Sequence, residues 1–431
     1  MKLFSSPLAV LRNLTFVTVL LIFIATCRKN DDATVTPKTG DLPTDVLTPT
    51  NILVKVSDLP APDTNASSVN YPQLLMEQPA SSKFHVPQGF AISVFSKVLD
   101  ARWLAVAPNG DVFVAQTNMN QITVLRDKNN DGVADESFVW GMGGMLDKPH
   151  GMVFNGGYFY VGATEAILRY AYTAGQTTAT GEPVKLATLP GGGQHVTRNI
   201  IIKDNKLYAS IGSSVNVGVE GQPVRTTIQQ FNLDGSGQVT YASGLRNAVG
   251  LDINPVTKEI WTAVIERDGL GDELVPDYFT SVKQGGFYGY PFAYLAPGKL
   301  DPRMTAISSP LTATTITPDV LFKAHETAIG ALFYKGSSFP ANYLNDAFVT
   351  LHGSWNRSKG AGYKIVRVRM NQQGTPQGGY EDFVTGWQIN PNASGPAQVF
   401  GRPIGIVQNL DGSLLVSDDA SGTVWRIRYK G

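Results

Sequence analysis

A single cysteine, Cys27, occurs in 431 residues, so no internal disulfide can form and stability has to come from packing. An excess of either charge is also missing. Lys and Arg number 35 against 35 Asp and Glu, no basic stripe stands out, and nucleic acid is excluded as a partner. Long hydrophobic runs are lacking as well: the apolar stretch at 14–25 is too short for a comfortable membrane span. The chain contains no Walker loop, no Gly-rich dinucleotide fingerprint between strand and helix, no His-Glu-x-x-His zinc helix and no Gly-x-Ser-x-Gly elbow.

What is present begins with a leader. Residues 1–27, MKLFSSPLAVLRNLTFVTVLLIFIATC, carry Lys2 and Arg12, no acid, and then the apolar run, a pattern that fits a secretory signal. Its end, IATC, resembles a bacterial lipoprotein signal whose cysteine becomes the lipidated first residue, with Thr26 where Gly, Ala or Ser is usual. The expected protein is exported, periplasmic or at the cell surface, and meets membrane only through a lipid on Cys27. Residues 28–83 are rich in Asp, Thr, Pro, Asn and Ser and read as a low-complexity tether and lead-in, leaving 84–431 as the globular domain.

The 44 glycines and 26 prolines sit at turn-like positions instead of clustering, which favours short strands over long helices. One pattern returns along the domain. RWLAVAPNGDVFVAQTNMNQITVLRD has strands around an Asn-Gly turn, HGMVFNGGYFYVGATEAILRY repeats it with Gly-Gly, and RNIIIKDNKLYASIGSS with Asp-Asn. VGLDINPVTKEIWTAVIERD, IGALFYKGSSFPANYLNDAFVTLHGSWN and IGIVQNLDGSLLVSDDASGTVWRIRY continue the series. These six copies, roughly 45 to 85 residues apart, predict an all-β fold, a six-bladed β-propeller of four-stranded antiparallel blades. A strand near Phe90 to Phe95 would close the ring against the last copy. The alternative is a pair of β-sandwiches, but no Pro/Ser linker divides 84–431.

In a propeller, the loops leading into the innermost strands meet around the central channel. At those places stand Arg102, His150, His195 with Arg198, Arg246 with Asn247, His325, and Arg402. Strand exits add GSSVN, IERDGLGDEL and LHGSWNR. A mouth rich in Arg and His implies an anionic ligand, because guanidinium groups bind carboxylates through paired hydrogen bonds. Residues 127–136, DKNNDGVADE, open like an EF-hand loop at Asp127, Asn129, Asp131 and Gly132 but lack its bidentate Glu at position 12, and read as an inter-strand loop with an optional calcium.

The segments KPHGMVF, GLRNAVGLDINP, ERDGLGDELVPDY, GGFYGYPF, HGSWNRS, GRPIGI and LLVSDDASGTVWRI, in this order, resemble the soluble quinoprotein sugar dehydrogenases, especially the sorbosone and pyranose dehydrogenase branch. The resemblance implies a propeller that binds pyrroloquinoline quinone (PQQ) and calcium on its channel face. It implies oxidation of a sugar by hydride transfer, an external quinone or cytochrome as electron acceptor, and a monomer or dimer. His150, in PHG, matches the family's catalytic histidine and is the expected base for the sugar hydroxyl proton. The three carboxylates of PQQ account for several arginines around one mouth.

Expected cofactor contacts are Arg102, Arg198, Asn216, Arg267, His352, Trp355 and Arg402, with Trp355 as a stacking wall for cofactor or sugar. The implied calcium falls on the backbone at Arg267 and Asp268, with Asp272 and Glu273 as nearby acids. The glucose branch has Gly-Pro in place of Arg267-Asp268 and a lysine in place of His352. Arg246 and Asn247 read either as an inter-blade brace or as ligand contacts, and loops such as 290–320 as the seat of sugar specificity. Two other functions fit a propeller: a calcium-dependent lactonase, which needs a carboxylate-lined metal centre, and a non-catalytic module binding glycans or a protein partner.

Overall fold

The computed structural model describes residues 40–65, 68–307 and 309–431. The leader, Cys27 and the stretch 28–39 lie outside the described residues. The domain is the expected six-bladed propeller, and no α-helix occurs among the described residues. Blade 1 comprises Ala101–Val106, Val112–Gln116, Gln121–Arg126 and Glu136–Met142, and blade 2 Met152–Asn155, Tyr158–Ala163, Ala166–Ala171 and Val184–Thr188. Blade 3 is built from Ile200–Lys203, Lys206–Ile211, Thr227–Asn232 and Val239–Ser243, and blade 4 from Ala248–Ile253, Ile260–Val264, Pro276–Ser281 and Val320–Ala324. Blade 5 takes Ala328–Phe333, Ala347–Leu351, Lys364–Val368 and Tyr380–Val384. Blade 6 joins Pro403–Gln408, Leu414–Asp418 and Thr423–Tyr429 to Phe90–Lys97, an early strand pairing antiparallel with the last one and closing the ring.

The turn dipeptides do what their chemistry demands. Gly156 and Gly157 (φ 58° and 79°), and Asp204 and Asn205 (φ 48° and 55°), are all left-handed, as a two-residue type I′ hairpin requires. The inner strands then approach one another closely at glycine. A Cβ on Gly250 would lie 2.4 Å from the Ile329 carbonyl, and one on Gly330 2.3 Å from that of Ile404, so the VGL and IGA motifs are packing motifs of the channel. Below its mouth the channel is filled by Trp103, Met152, Val249, Ile329 and Ile404, inner-strand residues of five blades, all buried in one apolar cluster.

The stretch expected as a tether departs from that description. Where described, it packs on the propeller: Thr44–Val46 pairs in parallel with Phe84–Val86, Asn51–Ile52 adds a fifth strand to blade 5, and Gln73–Leu74 pairs with Gln398–Val399. Its few apolar side chains hid this, because strand addition uses backbone groups. The loop 127–136 joins the outer two strands of blade 1, and Asp127, Asn129, Asp131 and Asp135 accept hydrogen bonds from its own amides.

Candidate active site

Each blade delivers one basic residue to a single cavity of ≈570 Å³ at the channel mouth: Arg102, His150, His195, Arg246, His325 and Arg402. Strand exits add Asn216, Glu266, Asp268, His352 and Trp355 to its lining. A larger hollow of ≈990 Å³ lies between the lead-in and blade 5, but it gathers no histidine besides the exposed His85, and two of its four lysines, Lys83 and Lys364, are paired with Asp45 and Asp382. The mouth cavity is therefore the candidate site.

His150 is held by backbone, its amide donating to the Gly162 carbonyl at 2.9 Å, and its ring packs on Trp103 with centroids 4.6 Å apart. The residue is 1% exposed, and neither ring nitrogen has a hydrogen-bond partner. Burial, and then the Arg102 charge, push its pKa well below the usual 6.5. The result is a neutral imidazole with nitrogen lone-pair capacity left unspent beside a cavity.

Beside it runs a cationic row. Arg102 pairs with Asp419 but keeps a buried Nε without a partner. His352 is bonded through Nε2 to the other Asp419 oxygen at 2.9 Å, and burial and Arg402 bring its pKa down to about 4. Arg402 donates to the carbonyls of His352 (3.2 Å) and Gly353 (3.1 Å), which are neutral acceptors. Its guanidinium charge is thus available to an anion. Burial would raise the Asp419 pKa, but His352, Arg102 and Arg402 hold it well below the carboxylate range.

The opposite wall is acidic and cross-linked. Arg246 forks onto the Asn216 carbonyl and side-chain oxygen, both at 3.0 Å, and onto the Glu266 carbonyl at 2.7 Å, which makes it a brace as well as a lining residue. Asn216 returns a bond to the Asp268 carbonyl. The Asp268 carboxylate accepts from Asn356 at 2.6 Å and lies 3.3 Å from His325 Nδ1. Glu266 Oε1 is buried without a partner. Asp277, also lining the cavity, is pushed up to about 7 by burial.

Arg198, Arg267, Asp272 and Glu273 are not brought into this cavity. Arg198 is fully buried and donates to the carbonyls of His195, Thr197 and Pro190. Arg267 is fully buried under the blade 4 insertion 282–319, bound to Glu266 at 3.0 Å, to Asp301, and to the carbonyls of Pro291 and Ala293 at 2.8 Å. Asp272 and Glu273 hold the loop after blade 5's second strand, through Ser358 and Arg357. The Asp268 carbonyl, expected to face a metal, already accepts from Asn216 and Arg303.

Sequence reading missed Asp419, Glu266, Asp277 and Asn356 as site residues. The signal for the first two is positional. The second strand of a blade ends beside the start of its inner strand, as Asp418 opposite Pro403 and Val264 opposite Ala248 show, so an acid at that exit meets the base at that start.

A family model described as TrAA12-like matches residues 84–294 and 301–430. The chain belongs to the TrAA12-like family. Among its relatives is a pyrroloquinoline quinone-dependent sugar dehydrogenase of Hypocrea jecorina, 23% identical over 330 residues, which cover 64% of this chain and 73% of that one. Two solved structures resemble this TrAA12-like domain with a TM-score of 0.67. The holo form of the pyranose dehydrogenase PQQ domain from Coprinopsis cinerea is 22% identical, over 84% of this chain and 100% of that one. The calcium structure of Trichoderma reesei Carbohydrate-Active Enzymes Family AA12 is 19% identical, over 84% and 99%. At these identities the structures establish the shared fold.

Proposed function

We propose that this protein is a quinoprotein dehydrogenase that oxidises a sugar at the channel mouth with PQQ and calcium. One observation carries the reading: a buried, neutral His150 with two unpartnered ring nitrogens lines the same ≈570 Å³ cavity as the guanidinium groups of Arg102 and Arg402. The fit to a polyanionic cofactor rests on donors. Arg102 Nε is orphaned, and Arg402 hydrogen-bonds only to neutral carbonyls while sharing the Asp419 charge with Arg102 and His352, so carboxylates would complete both. The fit to a hard cation rests on oxygens: the orphaned Glu266 Oε1 and the Asp268 carboxylate line the opposite wall, Arg246 and Asn216 fix the backbone that carries them, and a cation there would compete with Arg246, 3.4 Å from Asp268. Trp355 supplies an aromatic wall for the planar ring or the sugar.

Bound PQQ supplies the hydride acceptor, and calcium polarises it. His150, neutral because of burial and Arg102, accepts the sugar hydroxyl proton on a ring nitrogen as hydride leaves the carbinol carbon. The adjacent Arg102 disfavours the imidazolium. The activities of the relatives, sugar and pyranose dehydrogenase, agree with this chemistry. The leader supports export and a lipid anchor at Cys27, where an external carrier would collect the electrons.

The test is a titration of purified protein with PQQ and calcium. A cofactor absorbance change that an added sugar bleaches is expected, and absence of quinone binding overturns the reading. In the same assay His150→Ala is expected to retain cofactor binding and lose turnover by about 10²- to 10⁴-fold. Full activity in that variant removes His150 from its role.

A further inference from the structure

The carboxylates that line the mouth cavity, Glu266, Asp268 and Asp277, all come from blade 4. The wall around His150, from blades 1–3, presents Arg102, Asn118, Lys148, Gln194 and Thr197 and no acid. A neutral pyranose donates from each of its hydroxyls, and the strongest acceptors for such protons are missing from this wall. Lys148 differs from the other cations there. Arg102 pairs with Asp419 and Arg246 forks onto Asn216, but the Lys148 ammonium has no hydrogen-bond or ion-pair partner among the described residues. Its segment is rigid: the Lys148 amide donates to Asn120 Oδ1 at 2.9 Å, Thr117 Oγ1 to the Pro149 carbonyl at 2.7 Å, and the His150 amide to the Gly162 carbonyl. The lysine also holds a left-handed φ of 48°, a conformation that glycine or asparagine adopts at lower cost. A strained, half-buried lysine held unpaired at the cavity points to a charge that arrives from outside.

We propose that Lys148 binds an acidic group of the substrate, so that the preferred sugar is anionic, a uronic acid or a sugar phosphate, instead of a neutral aldose. Lys148 and His150 are at most about 7 Å apart at Cα, two residues along one chain segment, and both line the cavity. In a hexuronic acid, C1, which gives up the hydride, and C5, which bears the carboxylate, flank the ring oxygen. Base and ammonium then serve neighbouring corners of one ring, and a 6-phosphate extends from the same corner as the carboxylate. Arg102 and Arg402 remain with the cofactor. This rests on the sugar dehydrogenase reading of the site and assigns its substrate class.

The experiment compares glucose, glucuronate and glucose 6-phosphate as substrates of the PQQ- and calcium-loaded full chain and of its Lys148→Gln and Lys148→Arg variants, with the Kd for PQQ measured in each. A higher kcat/KM for glucuronate or glucose 6-phosphate than for glucose is expected, and the favoured one identifies the acid as carboxylate or phosphate. Lys148→Gln is expected to lower that preference about ten- to hundredfold, through KM, and Lys148→Arg to retain most of it, with the Kd for PQQ within about twofold in both. A preference for glucose, or a preference that Lys148→Gln leaves unchanged, overturns the proposal. So does a rise in the Kd for PQQ that matches the loss, which would make Lys148 a cofactor contact. If no sugar is oxidised, the dehydrogenase reading has failed separately. Calorimetric titration of the quinone-free proteins with glucuronate and with glucose 6-phosphate then decides: binding weakened in Lys148→Gln upholds the anion contact, and binding that is absent or unchanged by the substitution removes it.

Discussion

Arg102 and Arg402 at the channel mouth, and Arg198 and Arg267 behind it, are the same residue type at or beside strand ends, yet they do opposite work. The first two keep hydrogen-bonding capacity and charge facing a cavity. The second two are 0% exposed and, Arg198 Nε apart, spend theirs inside the protein. What separates them is the neighbouring chain. The 190–195 turn bends over Arg198 and offers it carbonyls, and the long insertion of blade 4 brings Asp301, Pro291 and Ala293 onto Arg267. Arg102 meets one carboxylate, Asp419, which His352 also uses. A guanidinium becomes a ligand contact where folding leaves its fork unfilled.

Removing the two kinds should separate stability from binding. Arg267→Met leaves the Glu266 carboxylate buried without its cation, Asp301 keeping Arg303, and is expected to cost about 3–5 kcal/mol in denaturant unfolding. Arg402→Met removes hydrogen bonds to carbonyls and one of three groups that offset the Asp419 charge, Arg102 and His352 remaining, and is expected to shift unfolding by about 1 kcal/mol. It should instead weaken PQQ by about 1.5–3 kcal/mol, read as a roughly ten- to hundredfold rise in Kd. Equal destabilisation by the two substitutions, or undiminished PQQ affinity in Arg402→Met, would break the contrast between them.

The fold was legible because its determinants are local. Asn-Gly, Gly-Gly and Asp-Asn fix hairpins within a few residues, and a ring of such hairpins leaves little freedom in where strand starts converge. The gathering of Arg102, His150, Asn216, His352, Trp355 and Arg402 around one cavity follows from that convergence. Side-chain direction does not. Whether Arg267 faces the channel depends on Asp301, 34 residues away, and on the path of an insertion with no repeat pattern. The lead-in was hidden for a related reason. Asn70 binds the Arg357 carbonyl across 287 residues of sequence, and backbone pairing leaves no apolar period to read.

The histidines extend the contrast and offer its smallest test. His150, His195 and His352 are kept neutral at the mouth. Burial, followed by Arg102, Arg246 and Arg402 in turn, lowers all three, His195 to about 3 and His352 to about 4. His325, braced by Asp268, is raised despite its burial. Between about pH 4 and 6.5 the unfolded chain takes up three protons that the folded mouth refuses, so stability present above pH 6.5 is lost as pH falls through this window. Asp277 works the other way. Raised to about 7, it holds a proton in the folded state that the unfolded chain releases above about pH 4, and acidification through the same window favours the fold. Three strongly lowered imidazoles outweigh the strongly raised Asp277 and the less raised His325, Asp346 and Asp418, so Tm should fall from pH 7 to pH 4.5, and His352→Gln, which retains a donor for Asp419, should make the fall shallower. A Tm that rises on acidification, or an unchanged slope in His352→Gln, would mean that the mouth imidazoles are not held neutral by their burial and the guanidinium groups beside them.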